Sequence, residues 1–279
     1  MINGINSREM ILEILLEIEE GEHSHVAIRN ALSKYQFLPK QDRAFITRVC
    51  EGTLEYRIQI DYIINSFSKV TVDKMKPAIR EILRSAVYQL KYMDSVPDSA
   101  VCNEAVKLAQ RKGFYNLKPF VNGVLRTIAR EMDQVRFPQK EDDLLKYLSV
   151  KYSMPEVLVT RWLEAYGEET TEKILADFLM EHPLTIRCRT YLNSKEEVIK
   201  SLESQGVHVA PAPYLPYAYS ISEFNHILAL DAFIKGKIVV QDVSSMLVAE
   251  VADPKKGDYV IDVCAAPGGK SLHMGDKME

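Results

Sequence analysis

The helical spacing of apolar residues over the first 135 positions is the feature that most limits how this chain can fold. The clearest example is residues 77–92, where Pro77 suits the first turn of a helix. The apolar residues of this segment fall on one stripe, namely Ile79, Ile82, Leu83, Ala86, Val87 and Leu90. Because several segments of this kind follow one another, the pattern predicts that the front of the chain is a helical bundle.

Neighbouring segments support the same interpretation. Asn6, followed by Glu9 three positions later, resembles a capping box at the start of a first helix. A long helix is predicted from Asp42 towards Ile64, and Gly52 marks either a break in it or a close contact with another helix. Further helices are predicted over residues 26–34, about 99–112 and 118–130.

The pattern changes after residue 135. Residues 136–143 are polar and contain Pro138, which predicts a linker, and helical spacing then returns over residues 144–182. Beyond that point we predict a strand over 184–189, a helix over 195–205, an extended loop with Pro211, Pro213 and Pro216, and short strands over 227–230 and 238–240. This region is therefore predicted to be a small mixed α/β segment.

Composition and charge narrow the class of protein. The chain is 47% hydrophobic and 27% charged, which is typical of globular proteins and excludes a disordered or low-complexity chain. Although the net charge is −4, residues 69–130 hold 12 Lys and Arg against 5 Asp and Glu. A basic segment in an acidic chain indicates a polyanionic partner, but a solvated helical surface gives the same counts.

The sequence also predicts location and excludes some sites. No apolar run approaches the ~18–20 residues of a membrane-spanning helix, and the N-terminus lacks the pattern of a secretory signal. We therefore expect a cytoplasmic protein. The four cysteines and six histidines lack the spacing of a disulfide scaffold or a metal site, so we expect no metal. We also expect a monomer.

The strongest functional signal is the string GDYVIDVCAAPGGKSLHM at residues 257–274. Val260, Ile261 and Val263 predict a short buried strand, a Gly-rich turn follows, and helix-forming residues come next. Strand, Gly-rich turn and helix together are typical of a nucleotide-cofactor site, although a tight turn without a ligand fits the bare pattern as well. Other phosphate loops fit badly, because G-x-G-x-x-G is absent and Cys264 stands where a Walker A loop has its first glycine.

The string D-x-C-A-A-P-G-G-K at residues 262–270 resembles the cofactor motif of the RNA cytosine carbon-5 methyltransferases, the NOL1/NOP2/Sun family. The segment QDVSS at 241–245 resembles the one that this family has just before the motif. The front of the chain resembles the NusB-type RNA-binding domain at 42–45 (DRAF) and 120–125 (FVNGVL). A NusB-type domain joined to such a core resembles the bacterial 16S ribosomal RNA cytosine methyltransferases over the whole chain.

The resemblance implies that the chain binds S-adenosyl-L-methionine. The matching residues of the turn are Cys264, Ala265, Ala266, Pro267, Gly268, Gly269 and Lys270. Lys270 is expected either to face the methionine carboxylate or to be a solvated lysine. We infer separately that Asp262 ends the strand and orders the turn by accepting hydrogen bonds from backbone N–H groups.

The resemblance further implies methyl transfer to carbon-5 of a cytosine in 16S ribosomal RNA, with the NusB-like front binding the RNA. Candidate phosphate contacts are Arg111, Lys112, Lys118, Arg126 and Arg130, each of which is otherwise part of a solvated basic face. The predicted division is a NusB-like domain over 1–137, a helical and small α/β segment over 144–235, and the start of a methyltransferase domain over 236–279. That last part is expected to hold the first strand, turn and helix of a Rossmann-like sheet.

The family uses a Thr-Cys cysteine as nucleophile and a Pro-Cys cysteine for product release, both downstream of the turn, and neither motif occurs in this chain. Cys50 and Cys102 are predicted to be core residues, whereas the arginines that flank Cys188 are suited to lowering its pKa. We therefore expect the front of a longer protein, with the catalytic cysteine beyond Glu279 and no methyl transfer by this chain alone.

A second interpretation is a NusB-like RNA-binding or antitermination module without catalytic activity. A NusB-type protein of ordinary size ends near residue 140, which argues against this interpretation. With so little of the cofactor sheet present, we also expect residues 257–279 to be weakly supported and Val260, Ile261 and Val263 to be exposed.

Overall fold

The structure is a computed structural model that describes residues 6–35, 38–180, 182–224 and 226–279. Its internal contacts divide the chain into two compact units, residues 1–180 and residues 181–279.

The front of the first unit is helical, as the sequence predicts. The described residues between 6 and 131 form the α-helices α1 (Ser7–Glu19), α2 (Ser24–Lys34), α3 (Lys40–Glu55), α4 (Arg57–Phe67), α5 (Pro77–Tyr92), α6 (Asp98–Arg111) and α7 (Lys118–Glu131). Asn6 caps α1, because its side chain accepts a hydrogen bond from the backbone N–H of Arg8 at 2.9 Å. The helical segment predicted from Asp42 towards Ile64 is interrupted, but the break lies at Tyr56 rather than at Gly52, so α3 and α4 are separate helices.

Helix α5 is the centre of the bundle. It packs against α1, α3, α4, α6 and α7, and the side chains of its predicted apolar stripe from Ile79 to Val87 are almost completely buried. Each buried aliphatic side chain of this kind contributes about 1.5–3 kcal/mol to folding. The apolar stripe read from the sequence is therefore the core of the first unit.

A cluster of charged side chains joins α4 to α5. Arg84 of α5 donates two hydrogen bonds to the Asp61 carboxylate of α4, at 2.7 and 2.6 Å, and a third to Glu81 at 2.6 Å. Burial raises the pKa of Glu81, and the neighbouring Arg84 opposes that rise. The forked arginine–carboxylate contact fixes α4 on α5 in one orientation.

The close helix contact predicted at Gly52 is present. A Cβ at this position of α3 would overlap the ring of Tyr88 on α5. That ring is 6% exposed and lies within stacking distance of Tyr56 and Tyr92, so it has little room to move. Glycine is required here because of this approach between two helices.

The remainder of the first unit follows the prediction. Residues 136–143 contain neither helix nor strand, and α8 (Leu144–Lys151) and α9 (Glu156–Phe178) come after them. Helix α9 bends at Gly167, which has φ 75° and ψ 175°.

The second unit is built on a four-stranded antiparallel sheet. Its strands are β1 (Leu184–Cys188), β2 (His208–Pro211), β3 (Ala218–Ser222) and β4 (Ile238–Val240), in the order β2–β3–β1–β4. Helices α10 (Lys195–Ser204) and α11 (Asp231–Ile234) accompany the sheet, and α12 (Val243–Ala252) and α13 (Gly269–Met278) follow it.

The sequence predicted β1, β4 and α10 but was wrong on other segments. Residues 227–229 form a 3-10 turn rather than a strand, and the proline-rich loop begins inside β2. Strand β2 tolerates Pro211 because it is at the edge of the sheet, where one N–H group has no ladder partner to lose.

The strand predicted over Val260, Ile261 and Val263 is also absent, because none of β1–β4 pairs with this segment. The three side chains are 43%, 72% and 89% exposed. Their predicted exposure is therefore confirmed, while their predicted strand is not. An extended segment without a hydrogen-bonding neighbour has no ladder to hold it in the strand conformation.

We expect Gly52→Ala to destabilise the first unit by about 1–3 kcal/mol, because the added methyl group collides with the confined Tyr88 ring. Urea denaturation followed by circular dichroism measures the change. Gly123→Ala on α7 is the matched control, since a Cβ there meets nothing within 4 Å and alanine favours a helix by up to about 1 kcal/mol. Equal effects of the two substitutions would contradict the proposed contact.

Candidate functional site

The Gly-rich turn predicted as a cofactor site lies between the exposed segment 257–263 and helix α13. Asp262 closes this turn from one side. Its Oδ1 accepts a hydrogen bond from the backbone N–H of Cys264 at 3.1 Å, and its Oδ2 accepts one from the Ser271 hydroxyl at 2.5 Å. These two hydrogen bonds lower the pKa of Asp262, so the carboxylate is charged at neutral pH. The role inferred for Asp262 from the sequence therefore agrees with its contacts.

The residues of the turn are accessible to a ligand. Cys264, Ala265, Ala266, Pro267 and Lys270 are exposed, and Gly268 and Gly269 are half-buried. Gly268 has φ 103°, a left-handed conformation that glycine adopts more readily than other residues. It precedes α13, whose first N–H groups have no partner within the helix and attract negative charge. A carboxylate placed here would meet these N–H groups and the nearby Lys270 ammonium.

A hydrogen bond and an ion pair connect α13 to α12 and to the loop before β3. Tyr217 donates a hydrogen bond to Glu250, and Glu250 also pairs with Lys277 at 2.7 Å. His273 lies between these groups with 2% exposure, and its ring meets Tyr217 edge-on at 5.6 Å between centroids. Burial, with the nearby positive charge of Arg187, lowers the pKa of His273 from 6.5 to about 4.

The sheet side of α13 carries an ion-pair cluster. The Asp276 carboxylate lies 2.7 Å from Nη1 of Arg187 and 2.8 Å from Nη2 of Arg189. Although burial opposes it, the hydrogen bonds from the two arginines lower the pKa of Asp276. The sequence does not reveal Asp276 as a partner of these arginines, because nothing local in it indicates that α13 reaches β1.

Three of the four cysteines are unsuited to act as nucleophiles. Cys50 and Cys102 are buried, as predicted, and burial raises the pKa of each thiol. The suggestion that arginines lower the pKa of Cys188 is wrong, since burial outweighs Lys195 and Arg187 and raises that pKa to about 11. Successive residues of a strand point to opposite faces, so both arginines point away from the buried thiol. Cys264 is exposed, but it lies in the turn itself.

The five basic residues predicted to contact phosphate differ in their surroundings. Arg111 has a weak contact with Glu9 at 3.9 Å, Lys112 pairs with Glu13 at 3.0 Å, and Arg130 pairs with Glu131 at 2.6 Å. Carboxylates therefore partly neutralise these three side chains.

The other two keep their full charge available. Arg126 is exposed and donates to the amide oxygens of Asn122, at 2.9 Å, and Asn103, at 3.4 Å. Lys118 opens α7, and within the described part of the chain its side chain has no hydrogen bond or ion pair. The structure thus separates two strong candidates from three weaker ones, which the sequence could not do.

The described residues contain neither a candidate membrane span nor a candidate metal site. None of their helices is both long and apolar enough to span a bilayer. No three of their His, Cys, Asp or Glu side chains are grouped closely enough to hold a metal ion.

Two parts of the chain match known protein families. Residues 5–130 match the NusB family. Residues 154–227 match the ferredoxin-like domain described for RsmF/B-like methyltransferases.

Several known proteins are similar to this chain over nearly its whole length. A protein of Bacillus subtilis described as a probable ribosomal RNA small subunit methyltransferase B is 34% identical over 98% of this chain and 60% of its own length. A Synechocystis protein of the same description is 31% identical over 98% of this chain and 61% of its own length. The crystal structure of PH0851 superposes with a TM-score of 0.72 at 27% identity, over 99% of this chain and 62% of that one. The chain thus spans about 60% of the length of these relatives.

We expect the second unit to lose stability as the pH falls from 6.5 towards 4, in part because of His273. The unfolded chain takes up a proton near pH 6.5, whereas the folded chain resists protonation down to about pH 4. The stability that this histidine contributes is therefore complete above pH 6.5 and decreases below it.

Calorimetry between pH 4.5 and 7.5 measures this effect. His273→Gln should flatten the acid side of the melting-temperature profile. His208→Gln, at an exposed position of β2, should leave the profile unchanged. A His273→Gln profile with the original slope would remove His273 as the cause.

Proposed function

We propose that this chain is part of an enzyme that methylates carbon-5 of a cytosine in 16S ribosomal RNA, with S-adenosyl-L-methionine as methyl donor. Its similarity, over 98% of its length, to proteins described as probable ribosomal RNA small subunit methyltransferase B supports this proposal. The observation that carries the proposal is the turn at 262–270, which Asp262 closes at the N-terminal end of α13. The functional division we propose is RNA binding by residues 1–137, a connecting segment over 144–235 and cofactor binding by residues 236–279.

The chemistry of the turn fits the charged end of the cofactor. The N–H groups at the start of α13 and the Lys270 ammonium would face its carboxylate, and Gly268 and Gly269 leave room for it beside the main chain. When bound, the cofactor supplies an electrophilic methyl group at its sulfonium. The residues of this chain bind and orient it, and Asp262 keeps the turn closed.

Cytosine carbon-5 is a weak nucleophile until a thiolate adds to carbon-6. Cys50, Cys102 and Cys188 are buried with raised pKa values, and Cys264 belongs to the cofactor turn. We propose that none of these four cysteines is the nucleophile. What this chain contributes is RNA binding and cofactor orientation.

The match of residues 5–130 to the NusB family supports the RNA-binding role. The basic face of α6 and α7 supports it as well. Lys118 and Arg126 are its main candidates, because neither is neutralised by a carboxylate among the described residues. A phosphate backbone attracts such side chains and fixes the orientation of the RNA without reading its sequence.

We expect the pair of substitutions Lys118→Gln and Arg126→Gln to reduce the slope of log K against log salt for RNA binding by about 1.5, since each lost phosphate contact removes about 0.7–0.9. Filter binding or fluorescence anisotropy at several salt concentrations measures the slope. Lys173→Gln with Lys200→Gln removes the same charge at exposed positions of α9 and α10 and should leave the slope unchanged. Equal slopes for all three proteins would remove Lys118 and Arg126 from the interface.

The proposed activity is tested with the whole protein, radiolabelled S-adenosylmethionine and 16S ribosomal RNA that lacks its methyl groups, and bisulfite sequencing then locates the modified base. Gly268→Ala should weaken cofactor binding about tenfold or more, because the left-handed conformation costs other residues about 1–2 kcal/mol and the turn has to shift.

Gly206→Ala is the control, since Gly206 also has positive φ and faces open space, but it lies after α10. It should lower stability by a similar amount and leave cofactor affinity unchanged. RNA binding without methyl incorporation by the unmodified protein would favour the alternative, a NusB-like binding module.

A further inference from the structure

Arg187 places a positive charge inside the second unit. It lies in β1, and its side chain is 3% exposed. Such a charge loses most of its hydration and has to be compensated by contacts within the protein. Its Nη2 is buried and has no partner among the described residues, so the other two nitrogens provide the compensation.

Two side chains from later in the sequence meet those nitrogens. Nη1 lies 2.7 Å from Oδ2 of Asp276, and Nε donates to Oε1 of Gln241 at 2.8 Å. Asp276 supplies the counter-charge and is itself held by Arg189. The guanidinium therefore has one fixed position and one fixed direction of donation to Gln241.

Gln241 forms hydrogen bonds both with Arg187 and with the Gly-rich turn. Its backbone N–H donates to the carbonyl of Thr185 at 3.2 Å, which holds the residue beside β1. Its side-chain Nε2 donates to the carbonyl oxygen of Gly269 at 3.3 Å. Gly269 is a residue of the turn and the first residue of α13. One amide side chain therefore separates the buried guanidinium from the cofactor turn.

The hydrogen bond from Arg187 also decides which way the Gln241 amide faces. An amide has one oxygen and one NH₂ group, and these can exchange places by rotation. Because Nε of Arg187 can only donate, it selects the oxygen and turns the NH₂ group towards Gly269. The Gly269 carbonyl can only accept, so both neighbours select the same orientation of the amide.

We propose that Arg187 is a positioning residue for the cofactor turn and acts through Gln241 on the carbonyl of Gly269. This role rests on the proposed function, because it concerns the S-adenosylmethionine site. The contact holds the start of α13 in place before the cofactor arrives, so binding does not have to order it. Among the described residues Arg187 forms no hydrogen bond or ion pair with residues 264 to 270, and its effect passes through Gln241.

The decisive variant is Gln241→Glu in the whole protein. Glutamate still accepts the hydrogen bond from Arg187, so the buried charge stays paired, but it has no N–H to donate to Gly269. We expect the Kd for S-adenosylhomocysteine, measured by calorimetric titration, to rise about tenfold. The KM for S-adenosylmethionine should rise in parallel, while the RNA affinity stays the same. Gln205→Glu is the same chemical change at an exposed position after α10 and should alter none of these quantities.

Arg187→Lys tests the first step of the path. Lysine keeps the charge beside Asp276 but lacks the planar guanidinium that donates to Asp276 and Gln241 at fixed angles, so the Kd should again rise about tenfold. If Arg187 acts through Gln241, the double variant binds no more weakly than either single variant. Should Arg187→Lys fail to fold, Gln241→Glu decides alone.

An unchanged Kd for Gln241→Glu would overturn the inference, as would additive effects in the double variant. A loss of RNA affinity in proportion to cofactor affinity would overturn it as well, since that pattern indicates general loosening. Failure of the unmodified protein to bind S-adenosylhomocysteine is a different result, because it refutes the proposed cofactor site and this inference with it.

Discussion

The second unit is arranged around the guanidinium of Arg187, a charge that water barely reaches. Asp276 lies 2.7 Å from it and also pairs with Arg189, so strand β1 and helix α13 share one charged cluster. Separating a buried pair leaves a charge without hydration, which is strongly unfavourable. Helix α13 is therefore held on the sheet even though the segment before it, 257–263, is exposed and forms no strand. The Gly-rich turn owes its place to this attachment and to the Asp262 carboxylate.

The first unit depends on a different interaction, the burial of apolar side chains around α5. Once the apolar side chains fill the interior, charged residues are left at the surface, and their neighbours decide what each can do. Lys112 and Arg130 lie against glutamates, whereas Arg126 lies between two asparagines. An amide oxygen satisfies a guanidinium N–H without neutralising the charge, so Arg126 is left to attract a phosphate.

The sequence predicted the features that depend on local spacing. The apolar stripe of α5, the bounds of α7 and the close approach at Gly52 all follow from the periodicity of a helix and from the properties of single residues. The errors concern segments whose conformation depends on distant partners. Residues 227–229 have the composition of a strand but lie where no strand of the sheet pairs with them. Val260 and its neighbours have strand propensity, but no strand among the described residues pairs with them.

By itself, the sequence determined the helical front, the existence of a Gly-rich turn before a helix, and the place of Asp262 within hydrogen-bonding reach of that turn. These depend on residues only a few positions apart. The tertiary structure alone decided which charges meet, because Arg187 and Gln241 are 54 positions apart, and Arg189 and Asp276 are 87 apart. It also decided that burial, rather than the neighbouring arginines, governs Cys188. Electrostatic and desolvation energies depend on distance and exposure in the folded chain, and separation along the sequence specifies neither.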